Sequence, residues 1–218
     1  MKLESDGILI DIRPMNERDS IARIFSRDYG VMVGMMRGAV VAKKNRALVG
    51  QVGMVAWNAR LDSQLGVFHW DAVRNMAAAI MADMGRLSMM NAAFGLICAL
   101  VPERERNDAL YDATVELLGA LGGGADAAHA YLRWELALLR DIGYAPDLSS
   151  CAGCGATGEL KYLSPRTCRA VCAKCGAPYA DRLYKLPINI DVTGRILADV
   201  CAAQDAQMPR ARIALGPK

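Results

Sequence analysis

Four cysteines in two pairs constrain this chain more than any other feature. Cys151-x2-Cys154 and Cys172-x2-Cys175 are separated by 17 residues, within "CAGCGATGELKYLSPRTCRAVCAKCG" (151–176). That spacing is expected of a closed four-thiolate metal site, because two intervening residues let one tight turn aim both sulfurs at a tetrahedral ion. Gly155 and Gly176 follow the second cysteine of each pair and suit knuckle turns with positive φ. A redox reading of a single pair needs a βαβ context, which the pattern around 151–176 does not supply. Cys168 has no glycine-terminated turn of its own and reads as a bystander, while Cys98 and Cys201 read as small core residues on apolar helix faces.

The expected ion is one structural Zn²⁺. Four thiolates leave no open position for water, whereas catalytic zinc keeps one. The two histidines, His69 and His129, form no His-x-Glu motif, and no His-Glu-x-x-His, Gly-x-Ser-x-Gly or P-loop occurs. Nothing in the sequence supports turnover, so a non-enzyme is expected. "MKLESDGILI" carries acids where a secretory signal needs cations, and the longest apolar stretch, 89–101, is too short to span a bilayer. A soluble, cytoplasmic protein is expected, in which reduced cysteines favour metal over disulfide.

Charge is distributed unevenly. Residues 1–75 hold 11 Lys/Arg against 8 Asp/Glu, residues 76–150 hold 5 against 10, and residues 151–185 hold 6 against 2. Two basic modules flank an acidic one, an arrangement suited to a polyanion. In the first module only Arg37-Gly38 and Lys43-Lys44-x-Arg46 are free of acids, and they are the expected phosphate contacts. Arg23, within "SIARIFSRDYG" (20–30), is a further candidate DNA residue.

The pattern predicts an α+β chain of several domains: an amino-terminal barrel, a helical bundle, and an inserted four-cysteine module. Five short strands are expected within about 70 residues: 6–14, 20–30, 31–40, 51–61 and 64–73. Turns at Asp28-Tyr29-Gly30 and Asp62-Ser63 link two pairs of them. That count suits an oligonucleotide-binding (OB) barrel or an SH3-like barrel. Tyr29, Trp57, Phe68 and Trp70 are either base-stacking platforms or core. One apolar helical run spans 75–101 and is stopped by Pro102. Helices follow at 108–121 and at 126–144, the latter capped by Asp126, and one more is expected within 186–204. The methionine-rich segments (Met32, Met35, Met36; Met84, Met89, Met90) read as core. The expected domains are 1–74, 75–148, 149–182 and 183–218.

"DGILIDIRPMNERDSIARIFSRDYG", "RGAV", "AYLRWELALLRDIGYAPDLSSCAGCGA" and "YLSPRTCRAV…APYADRLYKLP" together resemble the RecO family of bacterial recombination mediators. The resemblance implies an OB fold, a helical domain and a cysteine module that binds zinc in some members. It also implies binding of single- and double-stranded DNA, annealing of complementary strands, and help in loading RecA. The implied partners are RecR and the single-stranded DNA-binding protein SSB. For SSB's acidic, Phe-ended tail the expected contacts are Arg133, Leu136 and Arg140. Neither arginine has an acidic neighbour three or four residues away, and Leu136 lies between them. The alternative reading is a zinc-ribbon module of transcription or ribosome assembly that does not anneal DNA.

Overall fold

The computed structural model describes residues 2–40, 46–60, 65–124 and 126–216. Five strands, β1 (Lys2–Pro14), β2 (Ser20–Ser26), β3 (Gly30–Met36), β4 (Gln51–Asn58) and β5 (Gly66–Asn75), close into a barrel in the order β1-β2-β3-β5-β4. Every neighbouring pair is antiparallel except β3 and β5, which run parallel from Gly34↔Gly66 to Met36↔Phe68. This parallel closure gives the five-stranded OB-like arrangement rather than an all-antiparallel barrel. The expected turn at Asp28-Tyr29-Gly30 joins β2 to β3. The expected turn at Asp62-Ser63 lies outside the described residues.

Alternation sorts the strand residues into two cores. Leu9, Ala22, Ile24, Met32, Met36, Val55, Trp57 and Phe68 fill the barrel interior. Ile8, Ile10, Phe25, Val31 and Val52 point outward and are buried with the helices. Phe25 meets Tyr111 edge-on at 5.6 Å, and Arg27 stacks 4.8 Å from the same ring while pairing with Asp112.

The single apolar run expected over 75–101 is two helices, α1 (Ala77–Ile80) and α2 (Met84–Leu100). Asp83 interrupts it, because its carboxylate accepts from the amides of Gly85 (2.8 Å) and Arg86 (3.2 Å) and so starts a new helix. Met84 is consequently exposed rather than part of the core, whereas Met32, Met36 and Met90 are buried. Helix α3 (Asp108–Gly122) is capped by Asn107, and α4 (Ala127–Asp141) by Asp126, as expected.

Beyond α4 come β6 (Leu160–Leu163), β7 (Ala170–Cys172), the short helix α5 (Ala173–Gly176), a 3-10 turn (Ala177–Arg182) and β8 (Tyr184–Lys185). The three strands form a separate sheet in the order β7-β6-β8. Leu163 and Cys168 join the helical core, so the module rests on the bundle. Helix α6 (Ile190–Ala203) follows, and the chain adds a short α7 (Arg210–Ile213) packed on α2. No helix among the described residues is long and apolar enough to cross a membrane.

Candidate metal centre and nucleic-acid interface

The first knuckle is a turn from Cys151 to Gly155. The Gly155 amide donates to the Cys151 carbonyl at 2.9 Å, and Gly155 takes φ +75°, as its position after the pair predicts. The second knuckle begins where β7 ends at Cys172, and α5 carries Cys175 back beneath the first. Gly176 differs from the expectation, since its φ is −83°. Its requirement is space: an added Cβ would lie 2.3 Å from Cδ2 of Tyr162.

The four Sγ atoms of Cys151, Cys154, Cys172 and Cys175 all lie within 4.8 Å of one another, and Cys154 and Cys172 are 3.8 Å apart. Among the described residues no other such group gathers His, Cys, Asp or Glu ligand atoms. Cys168, the expected bystander, lies outside the quartet and is buried in the helical core.

Backbone amides favour negative charge on these sulfurs. Cys151 Sγ accepts from the amides of Cys172 (3.3 Å) and Gly153 (3.4 Å), and Cys172 Sγ accepts from Cys175 (3.5 Å). The amide of Cys172, followed by those of Cys154 and Gly153, brings the Cys151 thiol down to about 6. Cys175 is pushed up to about 12 because its thiol shares hydrogen bonds with Cys154 and then Cys172. Four crowded sulfurs cannot all carry charge unless a cation sits among them. The donor set therefore fits a soft divalent ion held by four thiolates.

An OB barrel offers the face of its second and third strands to nucleic acid; in this chain the helices cover the end of that face at Phe25 and Val31 and leave the end at Ile21 and Met35. Here Ile21 stands opposite Arg13 and Met35, and Arg23 stands opposite Asp11 and Val33. Ile21, Val33 and Met35 are only half-buried, which leaves an apolar strip flanked by arginines. Arg37 is exposed at the end of β3. Its turn is tied down by Asp19, which accepts from the Gly38 amide at 2.9 Å, and by the Val40 amide, which donates to the Arg18 carbonyl at 3.1 Å. Arg18 thereby joins Arg37 around Asp19. Arg46 is exposed, and Lys43 and Lys44 lie outside the described residues. Arg23 is half-buried beside Cys98 of α2, so its side chain sits at the seam between barrel and helices.

The aromatic candidates divide. Trp57 and Phe68 are core residues at 0% and 4% exposure, whereas Tyr29 and Trp70 are half-buried. Trp70 spends its indole N–H on Gln51 at 3.2 Å.

On the helical bundle, Arg133, Leu136 and Arg140 of α4 line one groove of about 330 Å³ with Ala113, Leu117 and Ala120 of α3. The sequence suggested two unpaired arginines. Arg133 instead reaches Glu116 of α3 at 3.4 Å, a contact between largely exposed groups and hence a weak one. Arg140 has no ion pair among the described residues.

Known families account for nearly all of this arrangement. Residues 1–73 match the family Recombination protein O N terminal, and residues 81–196 match Recombination protein O C terminal. The chain belongs to the RecO family. It is 39% identical over 183 residues to the DNA repair protein RecO of Dinoroseobacter shibae, covering 84% of this chain and 76% of that one. To the DNA repair protein RecO of Roseobacter denitrificans it is 37% identical over 217 residues, covering 99% and 87%. To that of Rhizobium etli it is 36% identical over 201 residues, covering 92% and 78%. RecO membership places the chain among proteins of DNA repair and recombination.

Proposed function

We propose that this chain is a non-enzymatic recombination mediator. It binds single- and double-stranded DNA, anneals complementary strands, and with RecR helps RecA onto SSB-coated DNA in the cytoplasm, at the nucleoid. The observation that carries the reading is the closed OB-like barrel, whose β1–β3 face sets a half-exposed apolar strip between Arg13, Arg23 and Arg37. Phosphates meet Arg37, Lys43, Lys44 and Arg46, with Arg23 supporting the floor of the strip. In this reading residues 1–74 hold DNA, 75–148 hold partners, 149–182 form the metal module, and 183–218 brace the bundle.

The metal is one structural zinc held by Cys151, Cys154, Cys172 and Cys175. Zinc–sulfur bonds of about 2.3 Å give a tetrahedron with edges of about 3.8 Å. The Cys154–Cys172 separation of 3.8 Å supports that size. When bound, zinc supplies folding free energy to a module with few apolar residues. The α3–α4 groove receives the acidic, aromatic-ended tail of SSB, with Arg140 as its carboxylate clamp and Arg133 joining once Glu116 is displaced.

The test is annealing of complementary oligonucleotides, with and without Lys43→Ala, Lys44→Ala and Arg46→Ala combined. Accelerated pairing by the wild type is expected, with weaker binding and a flatter salt dependence in the variant. Binding without any acceleration would instead favour a zinc-ribbon interaction module of transcription or ribosome assembly.

A further inference from the structure

Residues 173–185 run as a ribbon from α5, which packs on β6, through the 3-10 turn to the edge strand β8. Tyr162 of β6 is the floor: it pairs with Val171 on one side and Lys185 on the other, and Gly176 of α5 presses against its ring. The ribbon carries Lys174, Arg182 and Lys185, all exposed, against a single acid, Asp181. Asp181 approaches Arg182 only at 4.0 Å, and both side chains are about four-fifths exposed (79% and 81%), so the pair neutralises little. Lys174 and Lys185 have no ion pair among the described residues. The adjoining helix α6 brings Asp191 to the cleft beside Lys185, but it brings Arg195 there too. Its Asp199 is occupied by the Tyr184 hydroxyl at 3.2 Å.

One aromatic residue stands out. Of the seven tyrosines, six are buried or half-buried, and Tyr179 alone is exposed, at 58%. It lies in the 3-10 turn between Lys174 and Arg182, where its ring covers no core. An exposed ring among exposed cations that are weakly paired or without an ion pair is the combination that holds single-stranded nucleic acid, with phosphates on the cations and a base on the ring.

We propose that this ribbon is a second single-stranded nucleic-acid site, built from Lys174, Tyr179, Arg182 and Lys185 and separate from the barrel face. The inference rests on the DNA-binding reading above and deepens it: one chain holds two strands, one on each sheet. The segment that separates the two basic stretches in sequence, 76–150, carries 5 Lys/Arg against 10 Asp/Glu and repels rather than attracts a strand.

The experiment counts strands. Wild type, a module variant (Lys174→Ala, Arg182→Ala, Lys185→Ala) and a barrel variant (Arg37→Ala, Lys43→Ala, Lys44→Ala, Arg46→Ala) are mixed with two non-complementary labelled oligonucleotides. Native mass spectrometry then gives strands per chain, with metal content confirming that the module is intact. Two strands are expected for wild type and one for each variant. Loss of three phosphate contacts should flatten the log–log salt slope of the module site by about 2. Tyr179→Ala should weaken that site by roughly 5- to 150-fold, the range for one stacked base. A module variant that keeps its metal and still takes two strands overturns the inference, as does a wild type that takes one strand lost only in the barrel variant. A wild type that takes none overturns the DNA-binding reading itself.

Discussion

Arg212 and Glu135 form an ion pair at 2% and 0% side-chain exposure, 77 residues apart in sequence, and removing one partner should be among the costliest changes in the chain. The Arg212 guanidinium donates to both carboxylate oxygens, with Nη2 at 3.2 Å from Oε2, and Nη2 also reaches the Ile190 carbonyl at 2.6 Å. Thr193 completes the group by donating from Oγ1 to Glu135 Oε2 at 2.5 Å. Tyr131, buried nearby without a hydrogen-bond partner for its hydroxyl, has its pKa raised by burial and then by the Glu135 charge. Arg212→Ala leaves Glu135 charged in a dry core, which costs about 3–5 kcal/mol. For a chain of this length that lowers the melting temperature by about 6–20 °C. Glu135→Leu with Arg212→Met removes both charges and keeps the volume, so the double variant should lie close to wild type. Thr193 Oγ1 then keeps the Ile190 carbonyl, 3.2 Å away, as its acceptor. Urea denaturation of the wild type, both singles and the double closes the cycle, with an expected coupling of about 3 kcal/mol or more. Singles costing under about 1 kcal/mol, or a double as costly as their sum, would refute the argument that charge burial rather than packing governs this site.

Cys154→Ser or Cys175→Ser should abolish metal binding and lower thermal stability, while Cys168→Ser keeps the metal; elemental analysis decides, and metal loss in Cys168→Ser would show the ligand set to be wrong. Gly66→Ala should destabilise by about 1–3 kcal/mol, as overpacking does, because the new Cβ would fall 2.1 Å from Cε2 of the fully buried Trp57; an unchanged urea midpoint would contradict this. The Gly38 amide, then the Asn16 side chain, hold the Asp19 carboxyl below the usual carboxylate range. A depressed folded-state pKa means the stabilisation is complete above the unfolded value of about 3.9 and is lost as pH falls through the folded one. The Arg37 turn should therefore loosen only in acid below about pH 4, seen as a shift of the Gly38 amide resonance; a resonance constant down to pH 2 would count against the tether.

Features that depend on neighbours a few residues apart are legible in the sequence. Two Cys-x-x-Cys turns set their sulfurs through local geometry, Asp126 caps α4 through an amide three residues on, and Asp28-Tyr29-Gly30 turns β2 into β3. Resemblance carried the rest of the architecture, since strand periodicity alone left an OB and an SH3-like barrel equally open. Long-range packing settles the rest. It laid β5 parallel to β3 and turned Arg23 into the seam with α2. It gave Arg133 a partner on α3 and brought Arg212 into the core against Glu135. It also left Tyr179 uncovered while burying Trp57. The physical reason is common to all of them: whether a charge is paired or a ring is covered depends on side chains that arrive from distant segments, and no local spacing encodes which ones will arrive.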